Sequence, residues 1–265
     1  MTLGSGDHTL EAVVFDIDDV LVPFLSVRSW QWAWRPQGPV LGERRTQTAL
    51  RRSARAWDRR RWLGLTGKAP PADVPALREH LGATLRAVAG HAVPPEEGEA
   101  VVRRMLHPAG EVERFPDVGP ALERLGRTGV KLAALTPLPE ESASWLLRRS
   151  GLPNLPLLGA GDRAGPSVPS REAFRSAADA LGLPPERVAF IGDLYWSDVH
   201  AAQRAGLVGL LLDRAGLWPH LRAGRIVTLA DVEGALASAG EPAAPVGGPS
   251  GAGAGAGAGS SGDFL

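Results

Sequence analysis

The stretch Val13-Val14-Phe15-Asp16-Ile17-Asp18-Asp19-Val20-Leu21 places the strictest demand on how this chain folds. An apolar run of strand-forming residues leads directly into three carboxylates within four positions. Burying such a cluster is costly unless a cation neutralises it, and a divalent metal at a strand end is the economical answer. A strand followed by an acidic turn is the plainer alternative for Asp-x-Asp alone, so the weight falls on the rest of the chain.

From residue 113 onward the pattern alternates. Asp117 is placed to cap a helix carrying Val118, Leu122 and Leu125 and ending near Gly129. Lys131 to Leu135 reads as a strand running into Thr136, and Pro137-Leu-Pro139-Glu-Glu introduces a helix with Trp145, Leu146 and Leu147. A short strand at Leu155 to Leu158, a loop from Gly159 to Pro169 and a helix with Phe174, Ala178 and Leu181 come next. Arg187 to Ile191 is a further strand ending in Gly192-Asp193, Asp198 opens a helix running to Gly206, and Leu207 to Leu212 extends again. Alternation of this kind predicts an α/β fold with a doubly wound parallel sheet, a Rossmann-like core. Ligands of such sheets gather beyond the carboxyl ends of the strands, where Asp16, Asp18, Thr136, Asp193 and Asp198 all fall.

Residues 24–112 differ in character. They hold no convincing strand but show helical stripes, Leu50, Ala54, Trp57 and then Val74, Leu77, Leu81, Leu85, Val88, and Pro94-Pro95-Glu96-Glu97 starts another helix. The expected organisation is a core of residues 1–23 and 113–240, an inserted α-helical cap of residues 24–112, and a tail of residues 241–265. The tail is mostly Pro, Gly, Ala and Ser, too poor in apolar surface to order itself, and is expected to be disordered. Residues 28–61 carry ten arginines against Glu43 and Asp58, a local excess of about eight positive charges. A solvated helical face is the favoured reading of those arginines, and core packing that of Trp30, Trp32, Trp34, Trp57 and Trp62.

The formal charge of the 265 residues balances to zero, so no global field recruits nucleic acid. With no cysteine, disulfides, thiolate metal sites and a cysteine nucleophile are excluded. The first eleven residues lack a signal-peptide pattern and no run approaches eighteen apolar residues, so a cytoplasmic protein without membrane attachment is expected.

Three segments, in order, resemble the haloacid dehalogenase superfamily of phosphohydrolases. Phe15-Asp16-Ile17-Asp18-Asp19-Val20-Leu21 is similar to its first motif and Leu135-Thr136 to its second. Gly192-Asp193 with Asp198, Ala201 and Ala205-Gly206 is similar to its fourth. The insert lies where the family carries an all-helical cap. The resemblance implies a magnesium-dependent phosphatase acting on a small phosphorylated metabolite, with Asp16 as nucleophile and Asp18 as acid and base. It implies Mg2+ held by Asp16, the backbone carbonyl of Asp18, Asp193 and Asp198, and a phosphoryl oxygen held by Thr136. The second aspartate separates the chain from the dehalogenase branch. A phosphomutase uses the same residues, and a catalytically weak member binding a phosphorylated ligand or a protein partner is the competing reading.

Two departures stand out. Pro137 replaces the usual Asn after the second motif, and Val168 stands where the third motif has lysine. The chain's lysines are Lys68 and Lys131, and Lys131 begins a strand whose start lies roughly 16 Å below the rim. A substitute cation is therefore expected, with Arg163 first, Arg171 second and Lys68 third.

Overall fold

A computed structural model of the chain describes residues 9–24, 30, 33–34, 43–70, 73–106, 112–152, 154–159, 170–221 and 224–238. Six parallel strands form one sheet: β1 (Ala12–Phe15), β2 (Lys131–Leu135), β3 (Leu157–Gly159), β4 (Val188–Gly192), β5 (Val208–Leu212) and β6 (Arg225–Ile226). Their spatial order is β3-β2-β1-β4-β5-β6, so the chain winds outward from β1 in both directions. β1 and β4 are buried throughout, as continuous apolar runs demand of central parallel strands. The crevice of such a sheet opens where the winding reverses, at the carboxyl ends of β1 and β4.

Helices cover both faces. Ala12 and Val14 of β1 pack with Phe174, Ala177 and Ala178 of a helix at Arg171–Ala180, while Val13 and Phe15 belong to the larger core with Leu125, Leu146 and Leu236. This is the doubly wound α/β architecture expected from the alternation. β6 is a two-residue edge strand that periodicity does not reveal, and β3 begins two residues later than expected.

Between β1 and the helix at Val118–Arg127 the described residues contain three long helices and no strand: α1 (Glu43–Leu65), α2 (Val74–Ala89) and α3 (Pro95–Leu106). One stripe of α1 is buried: Thr46, Leu50, Ser53, Ala54, Trp57, Asp58, Arg61 and Trp62. Trp30, Trp34, Trp57 and Trp62 are buried, as packing residues should be, and Trp32 lies outside the described residues. Arg51, Arg52, Arg55 and Arg59 are exposed, which suits a solvated face, but Arg61 is 1% exposed and departs from it.

Asp117 departs from its expected role as a helix cap, since its side chain makes no cap bond. It accepts instead from both terminal nitrogens of Arg214 (2.8 and 2.9 Å), from Thr228 Oγ1 and from Leu229 N–H. Burial pushes its carboxyl up, but these donors outweigh burial and hold it at about 2. A tertiary clamp has displaced the local one.

Among these helices, His80 of α2 stacks on Trp57 of α1 at 4.9 Å and shares a hydrogen bond with Ser53 Oγ at 2.8 Å. Burial, with Arg60 adding to it, pushes the imidazole down to about 4. The unfolded ring protonates first as pH falls, so stability is lost from about pH 6.5 down to about 4. The stability difference between the parent and His80→Gln should therefore shrink by about 2 kcal/mol from pH 7 to pH 4.5, discounted for partial exposure of the ring. Urea unfolding at each pH measures it, and a pH-independent difference would mean the ring titrates alike in both states.

Candidate active site

Asp16 follows β1 directly, and its N–H donates to Ile191 O of β4, which ties the two central strand ends together. Its own Oδ1 accepts from Ile17 N–H at 2.7 Å. The chain then turns sharply. Leu21 and Val22 N–H both return to Ile17 O, and Asp19 adopts a left-handed conformation with φ 55°. Asp19 Oδ1 accepts from Phe24 N–H, so the third carboxylate of the cluster braces the exit of the loop.

Asp18 meets the end of β2. Thr136 Oγ1 donates to Asp18 Oδ1 at 3.3 Å and accepts from Leu138 N–H at 3.3 Å. Pro137 contributes no N–H, and the next residue supplies one to the hydroxyl instead.

At the end of β4 the chain passes through Asp193 into a π-helical turn, Tyr195–His200, of the kind that often marks a functional site. The wide turn carries Asp198 back towards the strand, where its Oδ2 accepts from Leu194 N–H at 3.1 Å. Gly192 makes this possible, since a Cβ there would lie 2.5 Å from Asp198 Cβ and 2.7 Å from its Oδ2. Gly192→Ala should displace Asp198 and lower both metal affinity and any turnover by about tenfold or more. Calorimetric titration of Mg2+ into the variant checks this, and unchanged affinity would mean that Asp198 has no part in holding the ion.

Asp16, Asp193 and Asp198 each present a carboxylate oxygen, and these oxygens lie within 4.8 Å of one another. Burial pushes the Asp16 carboxyl well up, and the negative charges of Asp18 and Asp198 push it further, while Arg61 opposes them. Asp193 is raised by burial and then by Asp198, Asp19, Asp18 and Asp16. Burial also raises Asp18, against the pull of Arg61. This concentration of like charge, with oxygen donors alone, fits a hard divalent cation. The side chain of Asp18 stands outside the trio that could share an ion.

Arg61 is the residue that sequence reasoning passed over. It extends from α1 into the site, and its Nη1 donates to Asp198 Oδ1 at 2.9 Å with both side chains 1% exposed. One turn earlier Asp58 accepts from Trp196 N–H at 3.0 Å and Ser197 N–H at 2.7 Å, which holds α1 against the π-helical turn. Trp62 completes this junction against Trp196 and His200 at ring distances of 5.6 and 5.0 Å. Of the cations expected at the site, Arg163 lies outside the described residues, as does Val168, and Arg171 and Lys68 are exposed. Lys131 Nζ donates to Leu181 O at the opposite end of β2.

A cavity of about 300 Å³ opens beside Asp193 between α1 and the loop after β5, with Leu50, Ala54, Phe115 and Leu217 supplying apolar wall and Arg51 a charge. Its loop wall is held rigid, because the buried Asp213 accepts from Leu217 N–H, Trp218 N–H and Arg225 Nε. No described helix is long and apolar enough to cross a membrane.

The comparisons with known proteins agree with this geometry. The family model described as haloacid dehalogenase-like hydrolase matches residues 10–206. A glyceraldehyde 3-phosphate phosphatase of Methanopyrus kandleri is 27% identical over 206 residues, 77% of this chain and 84% of its own. Phosphatase MT3486 of Mycobacterium tuberculosis is 30% identical over 212 residues, 78% of this chain and 89% of its own. Among solved structures, the HAD hydrolase YfnB of Bacillus subtilis, bound to magnesium, shares the fold with a TM-score of 0.63 at 17% identity, covering 86% of this chain and 98% of that one. Since the family match runs from the first strand through the π-helical turn and so takes in every carboxylate of the rim, the chain belongs to the haloacid dehalogenase-like hydrolases.

Proposed function

We propose that the protein is a magnesium-dependent phosphatase that hydrolyses a small phosphorylated metabolite through an aspartyl-phosphate on Asp16. The observation that carries this reading is the convergence of Asp16, Asp193 and Asp198 oxygens within 4.8 Å, next to a second aspartate two residues from the first. Asp16, Asp193, Asp198 and the backbone carbonyl of Asp18 are the groups that would hold Mg2+, which supplies, when bound, the positive charge that lets a carboxylate approach a phosphate.

An Asp16 oxygen forms a bond to phosphorus as the ester P–O bond breaks, and Asp18 gives its proton to the departing oxygen. Water then attacks the aspartyl-phosphate phosphorus, a proton returns to Asp18, and Asp16 is released with inorganic phosphate. Burial raises the Asp18 carboxyl, which suits a group that must carry a proton before it donates one. Thr136, whose hydroxyl donates its one proton to Asp18 and accepts from Leu138 N–H, would turn that proton to a phosphoryl oxygen once Asp18 is itself protonated. The cavity of about 300 Å³ beside Asp193 suits a compact leaving group, in keeping with a relative named for glyceraldehyde 3-phosphate.

The test is a panel of small phosphate monoesters incubated with the full chain, with Mg2+ or with EDTA. Phosphate release that requires Mg2+ is expected from at least one ester. Equal release in EDTA would overturn the metal dependence, and no release from any ester would overturn the activity.

A further inference from the structure

The family's third-motif lysine offsets negative charge shared by the nucleophile and the phosphoryl group, and here Val168 stands in its place. Among the described residues, Arg61 is the cation buried at the carboxyl ends of the strands, and its charge acts on Asp16, Asp18 and Asp198. We propose that the Nε/Nη2 edge of Arg61 is the cationic subsite for the phosphoryl group, so that the charge supplied elsewhere in the family by the core comes here from the helical insert. The proposal rests on the phosphatase reading for the identity of the anion.

Three observations support it. The guanidinium is fixed in place, because Nη1 is bound to Asp198 while Asp58, one turn earlier on the same helix, is bound to two N–H groups of the π-helical turn. Nε and Nη2 are buried and have no hydrogen-bond partner among the described residues. Leaving the donors of a buried charged group unmade is expensive, which points to a ligand that completes them. Finally, these two nitrogens form one planar edge with parallel N–H bonds, the geometry that takes two oxygens of a phosphate or carboxylate at once. Lysine offers no such fork.

The full chain with saturating Mg2+ is titrated with inorganic phosphate by calorimetry, for the parent, Arg61→Met and Arg61→Lys, with Tm recorded for each. Arg61→Met should weaken phosphate binding by about 10²-fold or more, and Arg61→Lys, which keeps the charge but loses the fork, by about tenfold. Mg2+ affinity provides the control against a collapsed site. Removing a positive charge beside Asp198 should leave Mg2+ binding unchanged or tighter, whereas a disordered site would lose both ligands. Phosphate affinity within threefold of the parent in Arg61→Met overturns the proposal, as does a parent that binds no phosphate at 10 mM. If Arg61→Met fails to fold, Arg61→Lys decides, and parental affinity there removes the fork. Because no turnover is measured, Arg61-dependent phosphate binding in a chain that hydrolyses no ester would leave this subsite standing while the phosphatase reading fell.

Discussion

Asp16→Asn is expected to abolish phosphate release, lowering kcat by about 10⁴-fold or more, since it removes the proposed nucleophile and turns one of the oxygen donors proposed for the metal into a neutral amide. Acid-quenched parent protein should retain phosphate on the chain during turnover, and the variant should retain none. Misfolding would give the same loss of activity, so stability has to be read alongside. Asp16 is buried among Asp18, Asp193 and Asp198, and its charge there is unfavourable without a metal. In metal-free protein the Asn variant should therefore melt no lower than the parent, and higher if the repulsion is fully relieved. An inactive variant that also melts many degrees lower would show a structural role, and a variant that turns over at the parental rate would falsify the covalent route.

Much of the rim was readable from sequence because Asp16, Thr136 and Asp193 directly follow strands, and strand ends are set by short-range alternation that the chain displays openly. Asp16, Thr136 and Asp193 follow β1, β2 and β4 directly, and the parallel order then brings them to one edge. Arg61 was hidden for the opposite reason. It lies in a helix crowded with exposed arginines, and composition alone assigns it to them. Periodicity carried the missing signal: the stripe Leu50, Ala54, Trp57 continues by one helical turn to Asp58 and Arg61, the charged pair on the buried side of α1. Both charges turn inward to the same partner, Asp58 to Trp196 and Ser197 N–H and Arg61 to Asp198, so this part of the stripe is a docking contact rather than a solvated face. Asp117 shows a different limit. Its propensity as a cap is local, but Arg214 and Thr228, about a hundred residues away, outcompete the helix for its carboxylate. The edge strand β6 is too short for any period to register.

Asp58 is where the second large effect is expected. Asp58→Ala leaves the N–H groups of Trp196 and Ser197 buried without acceptors and removes the negative charge nearest to Arg61 on its own helix. Each abandoned donor costs about 1–3 kcal/mol, so a total loss of about 3–5 kcal/mol is expected, seen as a fall in Tm on the order of 10 °C. Turnover should fall further than stability alone explains, by about 10²-fold at a temperature where the variant is fully folded, because the helix this contact holds also carries Arg61, bound to Asp198 one turn further on. Asp58→Asn separates the two effects. Its carboxamide oxygen accepts one of the two N–H groups but its NH2 opposes the other, so roughly half the stability should return. If turnover is restored in proportion, Asp58 acts by holding α1 to the π-helical turn. Should Asp58→Ala melt and turn over like the parent, the insert would not be held through this contact, and the placement of Arg61 would need another support.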